Sequence, residues 1–251
     1  QGERPPLFCV HGGGGHIFFY HPLAQRLAPD QPVYALQPVG LDGVSPLHRS
    51  IEEMATHYLR EVRKVQPTGP VALLGYCQST AVCHEMTRQL QARGEDVSLL
   101  ALVDAAPVHF EPEFPPTLLE RARGFWERFR RDPFFAVTHL FENRKRELEQ
   151  TLELKKKPRQ EQNLLRMQAN LRRLFEEYHW RPHRAGVTFL RCGEFEQAAD
   201  GDWFIHKWAA LAGGGVEVVN VPGHHLTLFE EPEVAGLAEA LRRCLERVQP
   251  S

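Results

Sequence analysis

The sequence predicts an α/β protein whose mostly parallel sheet is covered by helices on both faces. Short apolar runs recur along the chain and end at glycine or proline, which is typical of buried strands. Segments with apolar residues at helical spacing separate these runs, and such alternation favours parallel pairing. Cysteine, aspartate and histidine follow several of the runs, at the edge where parallel sheets carry functional groups. We therefore expect the functional residues at this edge of the sheet.

The pattern predicts one domain over residues 1–251, with a helical lid at 110–182 inserted between two of its strands. The predicted strands are residues 7–10, 32–38, 71–74, 97–103, 187–192 and 216–221. The predicted helices outside the lid are residues 18–27, 50–65, 80–91, 203–212 and 234–248. Within the lid, long charged amphipathic segments replace the strand signal, and 160–178 is one of its helices. A lid of this kind would control the access of water to a site.

Composition excludes several classes of protein. The 251 residues are 42% hydrophobic and 25% charged, which are ordinary globular values. The net charge of -2 gives no reason to expect a nucleic-acid partner. No apolar run reaches the length of a membrane span and no signal peptide leads the chain, so we expect a cytoplasmic protein. The start at Gln1 and the linker-like segment 2–6 suggest a piece of a longer polypeptide.

Cys77 lies between a predicted strand and a predicted helix. The stretch from Val71 to Ser79 reads V-A-L-L-G-Y-C-Q-S, an apolar run that stops at a glycine and delivers a cysteine at the turn. This is the pattern of a G-x-S-x-G nucleophile elbow, with cysteine in place of serine and Ser79 in place of the last glycine. Whether Ser79 packs or touches a substrate stays open here. The other four cysteines lie in predicted strands or helices, so we expect them to be buried structural residues. They are Cys9, Cys83, Cys192 and Cys244.

A run of four glycines follows the first strand, directly after His11. Glycines allow backbone N–H groups to point into a shared cavity. The loop around Gly13 could therefore form half of an oxyanion hole, with the N–H of Gln78 as the other half. A merely flexible loop is the alternative. A phosphate loop is less favoured because no Gly-Lys-Ser/Thr follows.

Asp104 and His225 complete a nucleophile, acid, histidine order along the chain. Asp104 follows the fourth strand, where it could orient a histidine or merely cap a turn. His225 follows the last strand and is the candidate base, with His224 as its rival. If Asp104 does not orient the histidine, the next candidates for this acid are Glu194, Asp200 and Asp202. The spacing of histidines predicts no metal site.

These residues make the chain resemble an α/β-hydrolase, and within that fold the thioesterase domains that end nonribosomal peptide and polyketide synthetases. The matching motifs are F-C-V-H-G-G from Phe8, G-Y-C from Gly75, L-V-D ending at Asp104, and V-P-G-x-H ending at His225. The resemblance spans the whole chain and implies Cys77 as nucleophile, His225 as base and Asp104 as orienting acid. It also implies a carrier protein that presents a peptidyl chain on 4'-phosphopantetheine, with no cofactor bound by the domain itself.

The resemblance also suggests the reaction. Family domains that bear cysteine look suited to closing four-membered rings, so we expect release as a β-lactam or β-lactone. Hydrolytic or macrocyclising release, and a standalone editing thioesterase, are the enzymatic alternatives. A hydrolase fold that has lost activity and serves as a binding module is the alternative from another class.

Overall fold

The structure, a computed structural model, describes residues 4–105, 107, 157–193 and 200–248, with the side chains of 200–202 left out. Its strands are β1 Leu7–Val10, β2 Val33–Leu36, β3 Val71–Tyr76, β4 Val97–Val103, β5 Val187–Cys192 and β6 Val216–Val221. Its helices are α1 His21–Leu27, α2 Ile51–Val65, α3 Ser79–Ala92, α4 Arg159–Glu177, α5 Asp200–Leu211 and α6 Glu233–Val248. A 3-10 turn, Phe18–Tyr20, precedes α1 where a single helix was predicted.

The six strands form one sheet in the order β2-β1-β3-β4-β5-β6, and all five neighbouring pairs are parallel. The predicted α/β class is therefore confirmed. Of the predicted lid, α4 is described, whereas residues 108–156 lie outside the described part of the chain. In the described part, no helix is both long and apolar enough to cross a membrane.

Side chains alternate between two apolar layers along each strand. In β1, Phe8 and Val10 belong to the layer that also holds α2 and α3, whereas Leu7 and Cys9 belong to the layer with α1 and α6. This period of two is the geometry of a pleated strand that is buried on both faces. Each large side chain so buried contributes about 1.5–3 kcal/mol from the hydrophobic effect.

Helix α2 begins directly after Ser50, its N-cap, at the start of the helix that the sequence predicted over 50–65. Ser50 accepts a hydrogen bond from the N–H of Glu53 through its hydroxyl, at 3.1 Å. The Glu53 carboxylate bonds back to the N–H of Arg49 at 2.7 Å, one residue before the position expected in a capping box. Ser50 therefore caps α2, and the reciprocal bond of the capping box is displaced by one residue.

The strands end in a common pattern that builds the site. The first residue after a strand donates its N–H to the last part of the neighbouring strand: His11 to Leu36 at 3.0 Å, Cys77 to Val103 at 3.3 Å, and Asp104 to Leu190 at 3.2 Å. Each bond holds a loop residue at the carboxyl edge of the sheet. Since β1, β3 and β4 are adjacent, their loops meet there.

Candidate active site

Cys77 occupies a strained turn between β3 and α3. Its φ of 58° lies in the left-handed region, which non-glycine residues seldom adopt outside functional sites. Its carbonyl accepts hydrogen bonds from the N–H of Thr80 at 3.2 Å and from the Thr80 hydroxyl at 2.9 Å. A Cβ on Gly75 would lie 3.0 Å from the sulfur of Cys83, so only glycine lets the turn approach the helix this closely. The predicted elbow geometry is present.

Ser79 holds the elbow together rather than reaching outward. The side chain is buried, and its hydroxyl accepts a hydrogen bond from the Tyr76 N–H and donates one to the Tyr76 carbonyl, both at 2.8 Å. One hydroxyl thus ties the first residue of α3 to the end of β3. The departure from glycine has a structural role, because the bulk of the serine is accommodated in the turn that it braces.

Asp104 also has a positive φ, of 46°, and its side chain is buried. Its Oδ1 accepts a hydrogen bond from the N–H of Cys192 at 2.8 Å. Its Oδ2 lies 3.6 Å from Nδ1 of His225, an ion-pair distance longer than a normal hydrogen bond. The backbone of β5 therefore aims the carboxylate at the histidine.

His225, and not its neighbour, turns towards the elbow. Its side chain is 22% exposed and lies beside both Asp104 and Cys77. His224 is exposed, and its carbonyl accepts hydrogen bonds from the N–H groups of Thr227 and Leu228. This tight turn points the two consecutive side chains in different directions. The structure thus brings together Cys77, Asp104 and His225.

The imidazole of His225 holds its proton more tightly than a free histidine. Burial opposes the charged ring, but the Asp104 carboxylate and the Cys77 side chain outweigh it and raise the pKa of His225 from 6.5 to about 9. A higher pKa means a stronger base. The charged ring is stabilised in this way, which favours transfer of the proton of the neighbouring thiol to it.

The glycine loop lies against the elbow. A Cβ on Gly13 would be 3.0 Å from Oε1 of Gln78, so the two residues proposed to line an oxyanion hole are in contact. Among the described residues, none accepts a hydrogen bond from the N–H of Gly13 or of Gln78. Both donors are thus available to a ligand. Of the four glycines only Gly15 has a positive φ, 76°, so conformational freedom is required at one position of the run.

Helix α4 packs over the outer side of the glycine loop. The Gln168 amide donates a hydrogen bond to the Gly14 carbonyl at 3.1 Å. Met167 is buried against Gly15, where an added Cβ would lie 2.2 Å from the methionine methyl group. The Asn170 amide donates to the His48 carbonyl at 3.0 Å. The described part of the predicted lid therefore braces the loop beside Cys77.

The remaining candidates lie elsewhere. As predicted, Cys9, Cys83, Cys192 and Cys244 are buried in strands and helices, whereas Cys77 is partly exposed. His11 is buried, and burial lowers its pKa to about 4. Glu194 and the side chains of Asp200 and Asp202 lie outside the described structure. Within the described ranges, no group of three or more His, Cys, Asp or Glu residues is placed to hold a metal ion.

Sequence reasoning missed Tyr76. Its hydroxyl donates to the His225 carbonyl at 2.5 Å, and its ring stacks on the imidazole with the centroids 4.6 Å apart. The partners are 149 residues apart in the chain. The only local signal was an aromatic residue at the half-buried end of a buried strand.

The sequence profile of a known family covers most of this architecture. The family described as "Thioesterase domain" matches residues 5–245. The chain belongs to the thioesterase-domain family. Curated relatives of this thioesterase domain include a malpibaldin synthetase of Mortierella alpina, 47% identical over 42% of the chain, and a dimodular nonribosomal peptide synthase of Bacillus subtilis (strain 168), 43% identical over 45%. The chain spans only 2% and 5% of those two proteins.

Solved structures resemble the thioesterase domain over nearly its whole length. The NocB thioesterase domain, in covalent complex with a fluorophosphonate nocardicin G analog, has a TM-score of 0.70 and 26% identity, covering 97% of this chain and 96% of its own. A four-domain nonribosomal peptide synthetase, holo-AB3403, shares the fold with a TM-score of 0.68 at 24% identity, covering 95% of this chain and 19% of its own.

These comparisons confirm the predicted α/β-hydrolase-type fold and the predicted resemblance to the thioesterase domains of nonribosomal peptide synthetases. One relative that aligns with 98% of the chain, at 26% identity, is named an inactive atromentin synthetase, invA4 of Paxillus involutus. The chain spans 27% of that protein.

Proposed function

We propose that this thioesterase domain takes a peptidyl chain from a carrier-protein phosphopantetheine thioester onto Cys77 and releases it by intramolecular cyclisation to a four-membered ring, a β-lactam or a β-lactone. The observation that carries the proposal is the convergence of Cys77, His225 and Asp104 beside two available N–H donors. Nucleophile, base, orienting acid and oxyanion donors are the parts that acyl transfer needs.

The first half-reaction loads the chain onto the protein. His225 takes the Cys77 proton, the sulfur attacks the thioester carbonyl, and the N–H groups of Gly13 and Gln78 stabilise the negative charge on the carbonyl oxygen. The carbon–sulfur bond to pantetheine then breaks. His225 returns the proton to the departing thiolate, so the carrier leaves as a free thiol.

The second half-reaction releases the chain. A nucleophile within the peptidyl chain gives its proton to His225 and attacks the carbonyl on Cys77. The carbon–sulfur bond breaks, the thiol regains its proton and the ring leaves. With serine the intermediate would be an oxoester, a less activated acyl group. With cysteine it is a thioester, which loses little of the activation of the incoming bond and so favours closure of a strained ring.

One of the comparisons supports acyl transfer as the reaction. The NocB thioesterase domain, a structural neighbour over almost the full chain, forms a covalent complex with a fluorophosphonate nocardicin G analog. An activated intermediate also needs protection from water, and α4 covers the glycine loop next to the site.

The experiment follows the fate of a synthetic peptidyl-pantetheine thioester by intact-protein and product mass spectrometry. We expect wild type to gain one acyl group on Cys77 and to release a product lighter than the free acid by one water. Cys77→Ala should not load. Cys77→Ser should load but release hydrolysed product or none, because its oxoester is less activated. Efficient ring closure by the serine variant would contradict the argument from thioester activation.

The other cysteines provide an internal control. Burial raises the pKa of Cys9, Cys83 and Cys244, and their side chains are inaccessible, so a thiol-directed acyl analogue should label Cys77 alone. The second candidate function is an inactive binding module, which the similarity to invA4 favours. That candidate predicts no selective labelling at Cys77, whereas release of the free acid by wild type would identify a hydrolytic domain.

A further inference from the structure

Tyr76 contacts His225 in two independent ways. Its hydroxyl donates a hydrogen bond to the main-chain carbonyl of His225 at 2.5 Å. Its ring stacks on the imidazole, with the centroids 4.6 Å apart and the planes inclined by 29°. One contact fixes the backbone of the residue, and the other covers one face of its side chain. The edges of the imidazole are left to face Cys77 and Asp104.

We propose that Tyr76 is a positioning residue, which holds the imidazole of His225 in the orientation that faces both Cys77 and Asp104. The role rests on the proposed function, since it acts through His225 as the base. The residue is suited to it because it directly precedes Cys77 and ends β3, where it pairs with Val103, the residue before Asp104. One side chain thus fixes the position of His225 relative to β3 and β4, the two strands that carry Cys77 and Asp104.

The Tyr76 ring is itself held in place. Phe229 meets it edge-on with the centroids 5.0 Å apart, and Phe19 lies at 5.6 Å. Edge-to-face contacts of this kind favour one ring orientation. The support matters because the loop after β6 that carries His225 contains Gly223, at a φ of 95°, and the 3.6 Å gap to Asp104 leaves the pair dependent on support from elsewhere.

Tyr20 offers a matched control in the same aromatic cluster. Its hydroxyl also donates to a main-chain carbonyl, that of Val10, at 2.8 Å, and its ring packs edge-on against Phe229 with the centroids 5.1 Å apart. Among the described residues, its ring packs against Phe19 and Phe229 and not against His225. Tyr20→Phe therefore removes the same kind of bond from the same layer without removing a contact to the imidazole.

The test compares Tyr76→Phe, Tyr76→Leu and Tyr20→Phe in the intact chain. Two readouts are measured: single-turnover acyl transfer from a peptidyl-pantetheine thioester, and the NMR titration of the His225 ring in the unacylated protein. Tyr76→Phe should slow transfer about three- to tenfold, the worth of one neutral hydrogen bond. Tyr76→Leu should slow it about ten- to a hundredfold, since it loses the stacked ring as well.

The titration separates positioning from general stability. Loosening the His225–Asp104 pair should lower the pKa of His225 below the wild-type value of about 9 in both Tyr76 variants, further in leucine than in phenylalanine. Tyr20→Phe should leave rate and pKa unchanged even where it lowers the melting temperature. An unchanged pKa in both Tyr76 variants, or an equal loss of rate in Tyr20→Phe, would overturn the proposal. If wild type transfers no acyl group, the proposed function fails, and the titration still decides the positioning role.

Discussion

Replacing Asp104 by asparagine isolates the electrostatic part of the site. An asparagine side chain has nearly the same shape, and its Oδ1 can still accept the hydrogen bond that the Cys192 N–H donates at 2.8 Å. The negative charge that lies 3.6 Å from Nδ1 of His225 is lost. The variant should therefore fold as wild type does while the imidazole loses its anionic partner.

The size of the effect follows from the geometry. The pKa of His225 stands at about 9 against an ordinary 6.5, and Asp104 is the first of the groups that raise it against the cost of burial. An opposite charge within about 4–6 Å moves a pKa by about 1–3 units. We expect Asp104→Asn to lower the pKa of His225 by about one to two units, with Cys77 sustaining the remaining rise.

The assay is a pH titration of the His225 ring by NMR, combined with denaturant unfolding at several pH values. Because the folded pKa lies above the unfolded value, stability from the charged ring is complete below pH 6.5 and is lost as the pH rises through about 9. Wild type should lose free energy of unfolding over this window, with a slope below about 1.4 kcal/mol per pH unit. In Asp104→Asn that slope should shrink. A pKa of His225 that stays at about 9 in the variant would refute the pairing.

Two further predictions concern neighbouring residues. His225→Ala should slow acyl transfer by about 10²–10⁴-fold because the base is lost, whereas His224→Ala, an exposed residue, should change the rate by less than about twofold; equal losses in single-turnover assays would show that the histidines were misassigned. Ser79→Ala should lower the free energy of unfolding by about 1–3 kcal/mol, since both bonds to Tyr76 are lost. Urea denaturation measures this, and an unchanged midpoint would contradict the bracing role.

Local patterns were sufficient for most of the described helices and strands and for three residues of the candidate site. Apolar runs bounded mostly by glycine and proline located the six strands of the described structure, because burial on both faces of a parallel sheet leaves a continuous apolar signal. The order of Cys77, Asp104 and His225 along the chain predicted which residues would meet, since each follows a strand. The 3-10 turn before α1 was not predicted, because its residues fit a helical apolar pattern equally well.

The contacts between distant residues could not be read in this way. Gln168 and Gly14 are separated by 154 residues, and nothing in the local pattern of α4 shows that its amide bonds the glycine loop. The choice of His225 over His224 likewise depends on a turn in which the His224 carbonyl accepts two N–H bonds. The two histidines are adjacent and identical in type, so the local sequence does not distinguish them. Only the conformation of the backbone decides which side chain faces Cys77.

The sequence by itself predicted the elbow at Cys77 and placed a carboxylate at Asp104 and a histidine after the last strand, because each depends on local periodicity and turn chemistry. Tertiary structure decided how these groups are held. The Ser79 hydroxyl bonds the turn at Tyr76, and the Cys192 N–H donates to the Asp104 carboxylate. The Tyr76 hydroxyl bonds the carbonyl of His225, 149 residues away in the chain. Such bonds depend on where separate strands end in space, and parallel packing fixes that position only once the sheet has formed.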